Sequence, residues 1–168
     1  MGLKEIKPRL KSGLSTFIIF SVVIVLANYW TTRNHLVGIA PAFEVYNLQG
    51  ELVSFDFKEA KKPKLLHFFA TWCPICELEN ASLNNLSADY EVIMIAIKSG
   101  SSAEVMQYKK EHGLEMTVYN DEYGEVSNQY SVVGVPASFI INNQGQIVSS
   151  TVGYVTEIGL RLRLWFSQ

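Results

Sequence analysis

Residues Lys64 to Leu83 read KLLHFFATWCPICELENASL, and the reading of this stretch decides the rest. Leu65 to Ala70 is an apolar run with the length and bulk of a buried strand. It ends in Thr71 and Trp72, and two cysteines follow, Cys73 and Cys76, separated by Pro74 and Ile75. Proline suits the first turn of a helix, where its missing N–H is no loss. A strand running into a helix start therefore puts Cys73 at the helix N-terminus. There the unpaired backbone N–H groups and the positive end of the helix dipole favour a thiolate over a thiol. The arrangement is suited to thiol–disulfide exchange.

Other uses of a Cys-x-x-Cys pair fit less well. A structural zinc site needs four ligands, and the chain has two cysteines and three scattered histidines, His35, His67 and His112. No resident metal and no cofactor are expected. Two cysteines serving only as core packing would leave Trp72 and Pro74 without a role. Cu(I) delivery by a metallochaperone, with Cys73 and Cys76 as soft ligands, stays open as a different class of function, although no third ligand is suitably placed.

The similarity to a known family extends well beyond the cysteines. Trp72-Cys73-Pro74-Ile75-Cys76 after Leu65–Ala70 resembles the active site of the thioredoxin superfamily. Ala40-Pro41-Ala42-Phe43 followed by Gly50 is similar to the opening hairpin of its membrane-anchored TlpA/ResA-like branch, which includes cytochrome c maturation reductases and ScsD-type oxidoreductases. Gly134-Val135-Pro136 with Phe139-Ile140-Ile141-Asn142 resembles that branch's cis-proline loop and the strand after it. The markers stand in the expected order over roughly residues 40 to 165, which is far more specific than one short motif. The resemblance implies a thioredoxin-like three-layer α/β/α sandwich with a mixed sheet. It also implies a substrate surface formed by Trp72, Pro74, Val135 and Pro136 beside the two cysteines. Periodicity alone supports only an α/β class.

Length and charge set the outer bounds. The 168 residues leave room for one domain and an appendage, and a net charge of −2 gives no sign of nucleic-acid binding. Residues 1–13 carry Lys4, Lys7, Arg9 and Lys11 against Glu5. Leu14 to Trp30 contains 17 residues without a charge, at the lower end of what a bilayer-spanning helix requires, and Tyr29 and Trp30 suit the interface. The basic flank should stay in the cytoplasm, giving a single-pass anchor in a bacterial inner membrane with the rest of the chain on the periplasmic side. No small-x-small cleavage site follows the apolar run closely, which favours an anchor over a cleaved signal peptide. Residues 31–39 then read as a linker and 40–168 as the thioredoxin-like domain, expected to be a monomer.

Within that domain, Phe43–Phe57 alternates around turn residues Asn47 to Gly50 and predicts a hairpin. Cys76, Glu79, Leu83, Leu86 and Tyr90 share one helix face. Val92–Ile97 predicts a central parallel strand, and Ser101 to Glu104 a capping box with a helix ending near Gly113. Met116–Tyr119 predicts a short strand and Asp121–Tyr130 a helix. Asn142 to Gly145 predicts a hairpin turn, and Thr156 the cap of a last helix reaching about Trp165.

Two residues beside the cysteines are candidates for proton handling. Glu79 lies one turn beyond Cys76, and the TlpA-like branch has a glutamate at that offset; Asn80 and Ala81, however, stand where that branch commonly has Met-Pro. His67 lies six residues before Cys73, where thioredoxins place a buried aspartate. By the strand's period of two it shares a face with Leu65 and Phe69. It serves either as a hydrogen-bonded core residue or as the acceptor of the Cys76 proton, alone or with Glu79. The chemistry would run through a mixed disulfide at Cys73, resolved by Cys76. The branch resemblance favours reduction of protein disulfides, with reducing equivalents from a membrane thiol donor. Valine before the cis-proline is similar to DsbA-like oxidants, so the opposite direction stays open.

Overall fold

The run after Lys64 occupies the middle of the sheet, as its uninterrupted apolar character requires of a strand covered on both faces. In the computed structural model, which describes residues 19–23, 38–58 and 60–168, strands β1 (Gly38–Ile39), β2 (Phe43–Asn47), β3 (Leu52–Phe55) and β4 (Lys64–Phe69) come first. Helices α1 (Pro74–Glu77) and α2 (Asn80–Ser87) follow, then β5 (Glu91–Ile97), α3 (Ser102–Glu111), β6 (Val118–Asp121) and α4 (Glu125–Gln129). Strands β7 (Ala137–Ile141) and β8 (Gln146–Val152) and helix α5 (Glu157–Phe166) complete the described elements. The strand order is β1-β8-β7-β4-β5-β6-β2-β3. Strands β4, β5 and β6 run parallel, and the remaining pairings are antiparallel. The mixed sheet matches the expected class.

Two cores form, one on each face, because β4 alternates. Leu65 and Phe69 point into one with Cys73, Cys76, Leu83, Val105 and Leu160. Leu66 and Phe68 point into the other with Phe43, Val126, Tyr130 and Phe139. In the second core Tyr130 meets Phe43 and Phe139 edge-on, and its hydroxyl donates to the Pro41 carbonyl at 2.7 Å. That bond fastens the chain's entry segment to α4.

Several expectations hold in detail. Ser101 and Glu104 form the capping box of α3, Thr156 caps α5 through the Gly159 N–H, and β2 and β3 pair as a hairpin. Three elements differ. The helix after Cys76 is interrupted at Leu78–Glu79, so α1 and α2 are separate. The strand expected over Met116–Tyr119 is Val118–Asp121. The helix expected from Asp121 begins at Glu125 because Gly124, with φ +79°, stands at its N-cap. Asp121 ends the strand, and its carboxylate accepts the Val126 and Ser127 N–H groups that the short helix leaves open. The expected linker is also shorter than 31–39, since Gly38–Ile39 pairs with Ile147 and Gln146 at the sheet edge.

The chain divides into two units, Met1–Asn34 and His35–Gln168. Of the first, residues 19–23 are described, and they are helical. The anchor expected over Leu14–Trp30 otherwise lies outside the described residues, as does the basic flank. Among the described residues no helix is long and apolar enough to cross a membrane.

The β7–β8 turn gives a stability test. Gly145 has φ +74°, and a Cβ there would run into the Phe57 carbonyl. Gly145→Ala should cost about 2 kcal/mol or more, combining left-handed strain with the clash. A urea titration should show a lower midpoint with an unchanged slope. A native midpoint would mean that the turn relaxes freely.

Candidate active site

Strand β4 delivers the two cysteines to the start of α1. Cys73 is the N-cap, with extended backbone (φ −99°, ψ 104°), and its Sγ accepts the Cys76 N–H at 3.2 Å. Pro74 occupies the first helical turn. The two cysteines are joined in a disulfide. Cys73 is 7% exposed and Cys76 1%, so the expected order of access holds, although Cys73 is itself largely covered. Trp72, 64% exposed, donates its Nε1–H to the Lys98 carbonyl at 3.1 Å. Thr71 N–H donates to Ser99 Oγ at 3.0 Å. These bonds tie the rim of the site to the end of β5.

The loop before β7 closes the other side. The Val135–Pro136 peptide bond is cis, and the Val135 carbonyl oxygen lies 3.8 Å from Cys73 Sγ. In the thiol form Sγ–H can donate to that oxygen. Pro136 is buried, and its carbonyl accepts the Gly153 N–H at 2.8 Å. Trp72, Pro74, Val135 and Pro136 thus gather around the disulfide.

His67 and Glu79 meet on the buried side. His67 is fully buried and Glu79 1% exposed. His67 is paired in register with Ser138 of β7, which puts both side chains on one face. Its Nδ1 lies 3.0 Å from Ser138 Oγ, and its Nε2 lies 3.6 Å from Glu79 Oε2. Neither Nε2 nor Oε2 has a hydrogen-bond partner among the described residues. Glu79 Oε1 accepts the Val155 N–H at 2.6 Å, and Glu79 N–H donates to the Cys76 carbonyl at 3.1 Å. The backbone of the glutamate is therefore hydrogen-bonded to that of the second cysteine.

Burial dominates the electrostatics here. Desolvation lowers the His67 pKa from 6.5 to about 4, disfavouring the imidazolium. It raises Glu79 from 4.5 to about 7, while the Val155 N–H acts in the opposite direction. A neutral imidazole thus faces a carboxyl group that exchanges its proton near neutral pH. Nε2 and Oε2 face each other at 3.6 Å, close to hydrogen-bonding distance.

Ser138 and Val155 were missed by the sequence reading. Ser138 leaves a faint trace, as the one polar residue in Ala137–Ile141, whereas Val155 acts through its backbone and leaves none. Asn80, where the branch commonly has Met, is buried and donates to the Tyr108 hydroxyl at 3.5 Å. Among the described residues no three His, Cys, Asp or Glu side chains gather as a metal site, so nothing adds to the Cu(I) reading.

The AhpC/TSA family model matches residues 38–150. A thioredoxin-like protein of Haemophilus influenzae is 29% identical over 165 residues, covering 98% of both chains. The thiol-disulfide oxidoreductase ResA of Bacillus thuringiensis subsp. konkukian is 32% identical over 123 residues, 70% of each chain. Among solved structures, a candidate thiol:disulfide interchange protein DsbE from Chlorobium tepidum superposes with a TM-score of 0.71 at 22% identity, covering 80% of this chain and 99% of that one. The last of these speaks to the fold alone. With its Cys-x-x-Cys pair at a helix N-terminus, the chain belongs to the thioredoxin-like AhpC/TSA family as a thiol-disulfide oxidoreductase of the ResA type.

Proposed function

We propose that the protein is a membrane-anchored, extracytoplasmic reductase of protein disulfides. The observation that carries the direction is the surroundings of Cys73 Sγ. A strong oxidant owes its potential to a stabilised reduced form, and so to a favoured thiolate. Here Sγ receives one N–H, from Cys76, and faces the Val135 carbonyl oxygen at 3.8 Å. Among the described residues no lysine or arginine makes a hydrogen bond to it. A carbonyl oxygen beside the sulfur opposes negative charge, which supports a reducing pair. The uncharged Leu14–Trp30 run and its basic flank support an inner-membrane anchor with the catalytic domain in the periplasm.

The reaction balances with the residues at hand. The Cys73 thiolate attacks one sulfur of a partner disulfide; a Cys73–partner bond forms, and the partner's second sulfur leaves as a thiolate and takes up a proton. Cys76 then loses its proton to the His67–Glu79 pair and attacks Cys73 Sγ. The Cys73–Cys76 disulfide forms, and the partner leaves with both sulfurs reduced. Two electrons have passed to the partner, and a membrane thiol donor restores the dithiol. The exposed indole of Trp72 and the Val135–Pro136 loop provide the surface on which an extended partner segment lies.

The reduction potential tests the direction. Equilibration with glutathione should place the Cys73–Cys76 pair near thioredoxin's value of about −270 mV. A value near DsbA's, about −120 mV, would reverse the proposed direction and leave the exchange chemistry intact.

A further inference from the structure

Helix α5 has two apolar faces. Leu160 and Leu164 are buried against the sheet. On the opposite side Ile158, Leu162, Trp165 and Phe166 follow one another at i, i+4, i+7 and i+8, and each is between 51% and 76% exposed. A helix on the surface of a soluble domain ordinarily turns polar residues outward. Val148 of β8, also half exposed, lines a shallow groove of about 250 Å³ with Leu162 and Phe166, so the stripe continues onto the sheet. Arginines flank it on both sides. Arg161 is held by Asp89 and Glu157, whereas Arg163 donates to the Gly159 carbonyl and has no carboxylate partner among the described residues. Contiguous apolar surface of this kind marks a contact with lipid or with another protein.

The way the chain enters the domain identifies the occupant. It enters at Gly38, which pairs with Ile147, the residue directly before Val148. The tether is thus attached at the margin of the apolar patch. Seven residues, 31–37, separate β1 from the uncharged run 14–30, and they span at most about 25 Å when extended. With the 14–30 run in a bilayer, the patch is confined close to the headgroups, and docking becomes an intramolecular event at high effective concentration. Large aromatic and aliphatic side chains flanked by arginine are the composition of an interfacial helix.

We propose that α5 lies flat on the membrane that holds the anchor, with Ile158, Leu162, Trp165 and Phe166 inserted at the headgroup–acyl boundary. This inference rests on the anchor reading given above. It also assigns an orientation to the disulfide. The helix begins one residue after Val155, whose N–H binds Glu79. Gln168, beyond its far end, lies beside Lys61, Lys62 and Pro63, which precede β4. The helix therefore runs from the disulfide end of the domain to the opposite end. Docked, it lays the domain on its side and keeps Cys73 beside the bilayer surface, where a membrane-embedded thiol donor would meet it.

Single-tryptophan variants of the full chain test both readings separately. Trp30→Phe with Trp72→Phe leaves Trp165, and Trp72→Phe with Trp165→Phe leaves Trp30. Each is reconstituted into vesicles of phosphatidylcholine and phosphatidylglycerol, with or without bromine on the acyl chains. An interfacial helix sits about 5–10 Å deep, so Trp165 emission should fall about twofold or more in brominated lipid. Adding Leu162→Glu to the Trp165-only chain should abolish that quenching, and Leu162→Glu alone in the otherwise native chain should leave disulfide exchange in detergent unchanged. Quenching of Trp30 without quenching of Trp165 overturns the docking and leaves the anchor standing; crosslinking through Trp165 would then assign the face to a second copy. Quenching of Trp165 alone retains the docking and overturns the anchor. Quenching of neither overturns both.

Discussion

Cys76→Ser should convert the protein into a trap, accumulating mixed disulfides with its partners through Cys73. Cys73→Ser should accumulate none, and both variants should lose turnover by at least about 10³-fold, because an alkoxyl oxygen cannot stand in for either sulfur. The asymmetry follows from the helix start. Cys73 is the N-cap and the less buried sulfur, whereas Cys76 lies inside the first turn at 1% exposure. A partner disulfide therefore reaches Cys73 first, and Cys76 serves only the intramolecular step. Non-reducing electrophoresis of cells expressing each variant reads the outcome. Adducts formed by Cys73→Ser in place of Cys76→Ser would invert the assignment of attacking and resolving thiols.

The second large effect concerns the buried pair. Glu79→Gln and His67→Asn should each slow resolution by Cys76 by about 10²-fold or more, the usual share of a positioned proton acceptor, and leave the first attack by Cys73 close to native. Stopped-flow kinetics on a model mixed disulfide separates the two steps, and resolution at the native rate with the native pH profile would reduce His67 to core packing. Stability provides an independent readout with opposite signs. His67 falls from 6.5 to about 4 on folding. In Glu79→Gln the unfolded chain therefore takes up a proton first as pH drops, and stability present above pH 6.5 is lost on the way down to about 4. Glu79 rises from 4.5 to about 7. In His67→Asn the folded state therefore holds its proton longer as pH rises, and stability present below pH 4.5 is lost on the way up to about 7. At about 1.4 kcal/mol per pH unit, each amounts to about 3 kcal/mol. The native pair carries one proton between about pH 4.5 and 6.5 in both states, so its stability should be nearly flat across that window. Chemical denaturation of the three proteins at pH 4.5, 5.5 and 6.5 distinguishes the slopes.

How much of this was legible beforehand depended on the range of the forces involved. Cys73, Pro74 and Cys76 act within one helical turn, and the capping box at Ser101 and the Asn142–Gly145 turn are equally local, so their residue types announce them. Glu79 and His67 were legible as joint candidates from spacing and resemblance, but the geometry of their contact was not. Their meeting depends on β4 pairing with β7, which brings Ser138 to His67 across 71 positions, and on the interruption at Leu78–Glu79 between α1 and α2. The shift of β6 to Val118–Asp121 has a similar cause: its ends are set by the ladder with β5, a tertiary partner that overrides local propensity. Gly38–Ile39 reads as linker by composition and becomes a strand because β8 offers an open edge.

The N–H of Val155 has an evolutionary corollary. A backbone amide can only donate, so Oε1 of Glu79 must accept, and any proton on the carboxyl is directed to Oε2, toward the imidazole. The polarity of the relay is therefore set by a peptide group that every amino acid except proline supplies. The side chain of residue 155, which packs against the core, can change among descendants of this protein while the proton path keeps its sense. The signature of the path itself in a family would be the absence of proline at this position.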